Sequence, residues 1–295
     1  VISTTINRYI QLAVNLCEPK HVRVVYSELE QVDNTKQLKH NLARSVLQRF
    51  DINTGIEIAS FSDITTKGSG LGSSSTYTVG LINALYNLKK LGYTRRDLAE
   101  TACEVEINDL GQPIGKQDQY AAAYGGFNAI RFDSTGVEVT SVPASYDTLA
   151  RLNDNLMCFS TGQTREASSV LSDQLNNLKT NGRTVDGTTS LVYMATDALK
   201  YIKQSKIDDF GALLHDAWLE KKKLASGISN PHIDEMYDTA RSAGALGGKI
   251  LGAGGGGFML LYVPVFARNK VKLAMRDFKQ FHFNFTDQGS TAVSL

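Results

Sequence analysis

Three stretches of the chain hold residues whose type and spacing could grip a phosphate or move a proton. The first is Lys67-Gly68-Ser69-Gly70-Leu71-Gly72-Ser73-Ser74-Ser75. Glycines let successive backbone N–H groups turn towards an anion, and a helix opening after them adds partial positive charge. The serine hydroxyls could bond phosphate oxygens or coordinate Mg²⁺. The same composition also suits a surface loop with a serine cap.

The second stretch is Lys249-Ile250-Leu251-Gly252-Ala253-Gly254-Gly255-Gly256-Gly257. Gly252, Gly254 and Gly257 meet the GxGxxG spacing, but a dinucleotide fingerprint needs a helix after its glycines. Here the apolar run Phe258-Met259-Leu260-Leu261-Tyr262-Val263 follows, which reads as a strand. A Walker loop is also excluded, because Gly248-Lys249 is followed by Ile250 and Gly115-Lys116 by Gln117. Two such loops on separate domains predict a phosphate-lined cleft.

The third stretch carries acids. Glu106 shares a helical stripe with Leu98, Ala102 and Val105. Buried there, its carboxylate needs a cation or hydrogen-bond donors; at the helix edge it tips into solvent, and the stripe allows both. Asp118 follows Lys116 by two residues in Gly115-Lys116-Gln117-Asp118. A lysine at that spacing can hold an aspartate ionised, as a general base must be. An ordinary turn with a surface ion pair fits the same run.

The elements that must position these residues alternate. Ile6, Arg8, Ile10, Leu12 and Val14 alternate with Asn7, Tyr9, Gln11 and Ala13, the period of a strand. Further β-rich runs lie at 22–26 and 56–61, with a helix between them marked by Leu38, Leu42, Val46 and Phe50. The first glycine loop opens a helix with the stripe Val79, Ile82, Leu85 and Leu88, stopping at Gly92. Thr94-Arg95-Arg96-Asp97 resembles a capping box, with Asp in place of Glu, for a third helix running towards Ile107. Residues 127–132 and 138–142 predict a hairpin.

Residues 143–155 read as a polar loop and set a boundary between domains 1–152 and 153–295. Beyond it lie a strand at 156–160, helices through Phe210 to Trp218 and from Asn230-Pro231, and a strand at 258–263. A helix at 268–278 and a strand at 281–285 close the chain. The class is α+β in two domains.

Composition bounds the function. The chain has 295 residues, 42% hydrophobic and 21% charged, with a net charge of +1. That balance gives no field to gather nucleic acid or an anionic membrane. No apolar run reaches the ~18 residues that span a bilayer. Cys17, Cys103 and Cys158 show no CxxC spacing and no disulfide framework, which points to a reduced, cytoplasmic setting.

At the three chemistry-bearing stretches the chain resembles the GHMP kinases (galacto-, homoserine, mevalonate and phosphomevalonate kinases). It is similar in particular to the branch that phosphorylates D-glycero-D-manno-heptose 7-phosphate at C1. Gly70 to Ser75 resembles the family's phosphate loop, and Lys249 to Gly257 its third motif. Glu106, twelve residues before Asp118, resembles the magnesium-binding Glu, with Asp118 as the catalytic Asp. The branch-like stretches are 114–126, 161–165 with Ala167-Ser168-Ser169, and 226–231.

The resemblance implies the GHMP kinase fold, a ribosomal-S5-domain-2-like N-terminal domain followed by a ferredoxin-like C-terminal one. It implies ATP across the cleft, its phosphates on the amides of Gly70, Leu71, Gly72, Ser73, Ser74 and Ser75. Mg²⁺ would sit on Ser74 and Glu106, and Lys116 would tune Asp118. Thr164, Arg165, Gly254, Gly255 and Gly256 would face the sugar. Arg165 is the candidate for the substrate's own phosphate, with a surface salt bridge as its other role.

The implied partner is a small-molecule sugar phosphate, with oligomeric state open. Two departures stand out: the loop's usual proline position holds Thr66, followed by Lys67, and the family's first motif would precede Val1. Two other readings stay open, another anomeric sugar kinase such as an L-fucose kinase, and a non-catalytic sugar- and ATP-binding regulator. Glu106 and Asp118 argue against the regulator.

Overall fold

The computed structural model describes residues 1–64, 68–165, 167–180 and 182–294. The chain begins with strands β1 (Ile2–Ile6), β2 (Ile10–Leu16), β3 (Val22–Val25), β4 (Leu29–Val32) and β5 (Ile56–Ser62). Helices α1 (Asn41–Arg49), α2 (Ser73–Leu88), α3 (Arg95–Cys103) and α4 (Gln117–Tyr124) accompany them. Next come β6 (Phe127–Asp133), β7 (Gly136–Ser141), α5 (Tyr146–Asn155), β8 (Leu156–Ser160), α6 (Ala167–Thr180) and α7 (Gly182–Lys203). The chain closes with α8 (Ile207–Lys222), α9 (Pro231–Ser242), β9 (Gly247–Ile250), β10 (Phe258–Tyr262), α10 (Arg268–Ala274), β11 (Gln280–Phe281) and β12 (Phe285–Thr286).

Contacts divide the chain into two compact units. One comprises Thr4–Thr66, Gly72–Gly126 and Thr286–Leu295; the other comprises Val1–Ser3, Lys67–Leu71 and Phe127–Phe285.

In the first unit the sheet runs β2-β5-β3-β4, with β3 and β5 parallel. Its buried face carries Val22, Val24, Ile56 and Ile58, and Val79, Ile82 and Leu85 of α2 are buried with them. The strand reading across residues 6–14 breaks at Asn7-Arg8-Tyr9. There the Arg8 N–H turns back to the Ile6 carbonyl at 2.8 Å, so β1 and β2 are separate strands. Helix α2 stops earlier than Gly92 suggests. Leu91 N–H bonds Tyr86 O at 2.9 Å and Lys90 takes the left-handed turn at φ +53°, closing a Schellman end two residues sooner. Thr94 and Asp97 do form the capping box of α3, which continues through Asp109 as a wider π-helical stretch, Glu104–Asp109.

In the second unit the antiparallel sheet runs β11-β8-β10-β9. Met157, Phe159, Met259 and Leu261 form a buried core with Trp218, Ile233, Met236 and Tyr237 from α8 and α9. The β6/β7 hairpin forms as its alternation suggests. The polar segment expected to be a loop is mostly helix α5, started by Ser145, whose hydroxyl accepts from Thr148 N–H at 3.1 Å. It reads as polar because only Thr148, Leu152 and Asn155 are buried along it. The expected strand at 281–285 splits into β11 and β12.

Candidate active site

The first glycine loop is built to turn its backbone. Gly68, Gly70 and Gly72 take φ of +68°, +72° and +69°, a left-handed conformation that costs other residues about 1–2 kcal/mol. Gly72 is also the N-cap of α2 and brings no side chain to that role. The N-cap residue itself therefore brings no side-chain bond to the first turn of α2, which suits an anion there. Thr66 and Lys67 lie outside the described residues.

The two glycine loops meet backbone to backbone inside the second unit. A Cβ on Gly70 would fall 2.5 Å from Leu251 O, and one on Gly257 2.7 Å from Ser69 O. The branch-like segments gather around the same glycines. Gly255 N–H bonds Ile228 O at 2.9 Å, Gly257 N–H bonds Gln163 O at 2.8 Å, and Thr161 N–H bonds Gly257 O at 2.9 Å. Asn230 Nδ2 closes the ring onto Gln163 Oε1 at 3.1 Å.

Thr164 and Arg165 are exposed on this cluster beside Gly254, Gly255 and Gly256. Arg165 Nη1 donates to Gly227 O at 3.1 Å, and no described carboxylate pairs with it. Its guanidinium lies so close to Gly227 that a Cβ there would be 2.6 Å from Nη1.

The acid cluster lies in the first unit. Of the two placements the helical stripe allows, Glu106 takes the buried one, with 0% exposure. Ser75 Oγ donates to its Oε2 at 2.8 Å, Thr78 Oγ1 to its Oε1 at 3.3 Å, and Gln119 Nε2 also to Oε2. All three donors are neutral. Burial pushes the carboxyl above its ordinary pKa, the three donors pull it back, and the neighbouring Asp118 adds to the rise.

Asp118 sits half-buried in the first turn of α4, packed on the N-cap of α2: a Cβ on Gly72 would lie 3.2 Å from Asp118 Cγ. Lys116 is exposed at the N-cap of α4, and none of the described ion pairs joins it to Asp118. Ser74 is exposed on the first turn of α2, and it is Ser75 that binds Glu106.

Sequence reasoning missed Ser75 as a partner of Glu106, and missed Thr78 and Gln119 altogether. Gln119 directly follows Asp118, and an i, i+4 hydroxyl pair from Ser74 to Thr78 was the available signal.

The residues fit a divalent cation of the magnesium kind. No group of three or more His, Cys, Asp or Glu side chains gathers among the described residues, so a site made wholly of such ligands is absent there. Magnesium ordinarily takes one or two carboxylates and fills the rest with water and phosphate oxygens. Among the described residues Glu106 is one buried carboxylate held only by neutral donors, and Gln119 Oε1 beside it is buried with no hydrogen-bond partner among them. No helix among the described residues is long and apolar enough to cross a membrane.

The profile of the GHMP kinases N terminal domain matches residues 37–126, and that of the GHMP kinases C terminal domain residues 198–278. A D-glycero-alpha-D-manno-heptose 7-phosphate kinase of Campylobacter jejuni is 32% identical over 235 residues, covering 78% of this chain and 68% of that protein. A bifunctional fucokinase/GDP-fucose pyrophosphorylase of Arabidopsis thaliana is 26% identical over 73% of this chain and 21% of its own length. Among solved structures, a D-glycero-D-manno-heptose 1-phosphate kinase from Bacteroides thetaiotaomicron superposes with a TM-score of 0.75 at 23% identity. It covers 98% of this chain and 88% of that one, which is a likeness of fold.

Proposed function

The chain belongs to the GHMP kinase family of small-molecule phosphotransferases, and on that premise we propose that it phosphorylates the C1 hydroxyl of a heptose 7-phosphate. One observation carries the catalytic part. The buried Glu106 is tied to the first turn of the anion-loop helix by Ser75 and to the helix of Asp118 by Gln119. Phosphate grip, metal ligand and base are thereby fixed to one another within three hydrogen-bonded elements.

The amides of Gly70, Leu71, Gly72, Ser73, Ser74 and Ser75 bind phosphate oxygens. The Ser74 hydroxyl and Glu106 hold the metal, while Ser75, Thr78 and Gln119 keep the Glu106 carboxylate in orientation. ATP bound with Mg²⁺ supplies the phosphoryl group and offsets negative charge during in-line transfer. Asp118 accepts or orients the proton of the sugar hydroxyl, so that the oxygen is nucleophilic when it meets phosphorus. An anomeric hydroxyl is more acidic than other sugar alcohols, which lessens the demand on one carboxylate. The domains proposed for these roles are 1–152 for nucleotide and metal and 153–295 for the sugar side.

Support for a heptose phosphate comes from the Campylobacter relative and from the cationic Arg165 among the Gly254–Gly257 loops. The 26% identical fucokinase relative keeps L-fucose as the second reading. ADP release by the full protein, measured across heptose 7-phosphate, free heptose, L-fucose and galactose, separates them. Preference for L-fucose or free heptose sinks the substrate assignment and leaves the kinase assignment intact.

A further inference from the structure

Helix α10 is anchored by one side. Ala267, Val271 and Met275 recur every four residues and are buried in the same core as Trp218, Ile233 and Tyr237. The outward side is bare: Phe266 is 86% exposed, Val265 67% and Leu273 65%. Large apolar side chains bared together on one short stretch mark an interaction surface. Among and after them stand Lys270, Lys272, Arg276 and Lys279, all exposed, with Asp277 the one acid between residues 265 and 279. None of these cations belongs to a described ion pair.

Helix α9 beside it carries the opposite sign. A groove runs between the two helices, with Glu235, Asp238, Thr239 and Ser242 on the α9 wall and Ala274 on the α10 wall. Glu235, Asp238 and Ser242 follow one another at three and four residues and so share a face, while Ile233, Met236, Tyr237 and Ala240 are buried on the other. Asp234, which also lines the groove, is paired with Lys222 at 3.0 Å. Glu235 and Asp238 are exposed and belong to no described ion pair.

A surface with both signs side by side offers little net field to a membrane or a nucleic acid. Turned about a two-fold axis it is complementary to itself, because the basic ridge of one copy meets the acidic groove of the other, and the reverse. We propose that α9 and α10 form a two-fold interface between copies of this chain. Lys270, Lys272, Arg276 and Lys279 of each copy face Glu235 and Asp238 of the other, and Phe266 supplies the apolar contact. This pairing does not rest on the kinase reading.

Sedimentation equilibrium of the full protein tests it. The wild type should form a dimer whose dissociation constant rises with salt, since exposed charges are screened. One variant reverses the ridge, Lys270→Glu/Lys272→Glu/Arg276→Glu; another reverses the groove, Glu235→Lys/Asp238→Lys. Each alone should dissociate at least tenfold more readily, because like charges then face each other. Mixed in equal amounts, the two should form a one-to-one heterodimer, since every ridge again meets a groove of opposite sign.

A wild type that stays monomeric overturns the proposal, as does a dimer that neither reversal weakens. Failure of the two variants to recombine, with native circular dichroism in both, overturns it equally. Should either reversal not fold, Phe266→Ser and Lys270→Glu decide the matter: both should weaken the dimer, and unchanged affinity in both refutes the interface. A monomer that instead sediments with phosphatidylserine vesicles gives this face to a lipid surface and ends the proposal.

Discussion

The Ser75 hydroxyl donates to Glu106 Oε2 at 2.8 Å, joining the first turn of the anion-binding helix to a carboxylate fully shielded from water. A buried carboxyl with a raised pKa is a liability in the folded state once it ionises. The sign follows from linkage: below the unfolded pKa it costs nothing, and stability falls as pH rises from there through the higher folded value. A cation bound beside it reverses that loss.

Glu106→Gln should therefore flatten this part of the pH–stability curve, leaving the metal-free variant at least as stable as wild type at neutral pH. Magnesium with nucleotide should raise the Tm of wild type and do so much less in the variant. Thermal melts at several pH values, with and without MgATP, check both halves. If Glu106→Gln instead weakened only sugar binding, Glu106 would belong to the substrate side.

Asp118→Asn keeps the shape of the side chain that packs on Gly72 while removing its basicity. Turnover should fall by roughly 10²–10⁴, the usual worth of a general base, with ATP affinity within a few-fold. Near-normal turnover would assign proton handling elsewhere.

Gly70→Ala puts a Cβ 2.5 Å from Leu251 O in a left-handed conformation. The backbone term alone is about 1–2 kcal/mol, and the clash is with a carbonyl that cannot swing aside. The variant should melt earlier and lose ATP affinity as the two glycine loops separate. Gly115→Ala, where a Cβ meets nothing within 4 Å, is the control and should melt like wild type.

Much of the framework was legible in the sequence because caps and periodicity act locally. The Thr94–Asp97 box and the Asn230-Pro231 start need only their own neighbours, and both form. The break at Asn7-Arg8-Tyr9 was hidden, since a one-residue turn leaves the alternation on either side intact. Helix α5 was hidden because so little of it is buried. The stripe allowed Glu106 to be buried but could not name its donors, which come from 31, 28 and 13 positions away. Those pairings are made by packing α2, α3 and α4 together, and single-chain patterning carries no such information.

Arg165→Ala should lower kcat/KM for a 7-phosphorylated heptose by about 2–4 kcal/mol, the scale for truncating one partner of a charge pair. An unphosphorylated sugar should be nearly unaffected. Equal losses on both substrates would return Arg165 to a loop-holding role through its bond to Gly227 O.

The central claim, transfer to the anomeric oxygen of a sugar that already carries a phosphate, is tested most directly by phosphorus NMR of the reaction products. The full protein, ATP, Mg²⁺ and D-glycero-D-manno-heptose 7-phosphate should yield ADP and a sugar with two phosphate signals, the new one coupled to the proton on C1. ADP formed without that signal, or a new phosphate coupled to any other position, contradicts the account.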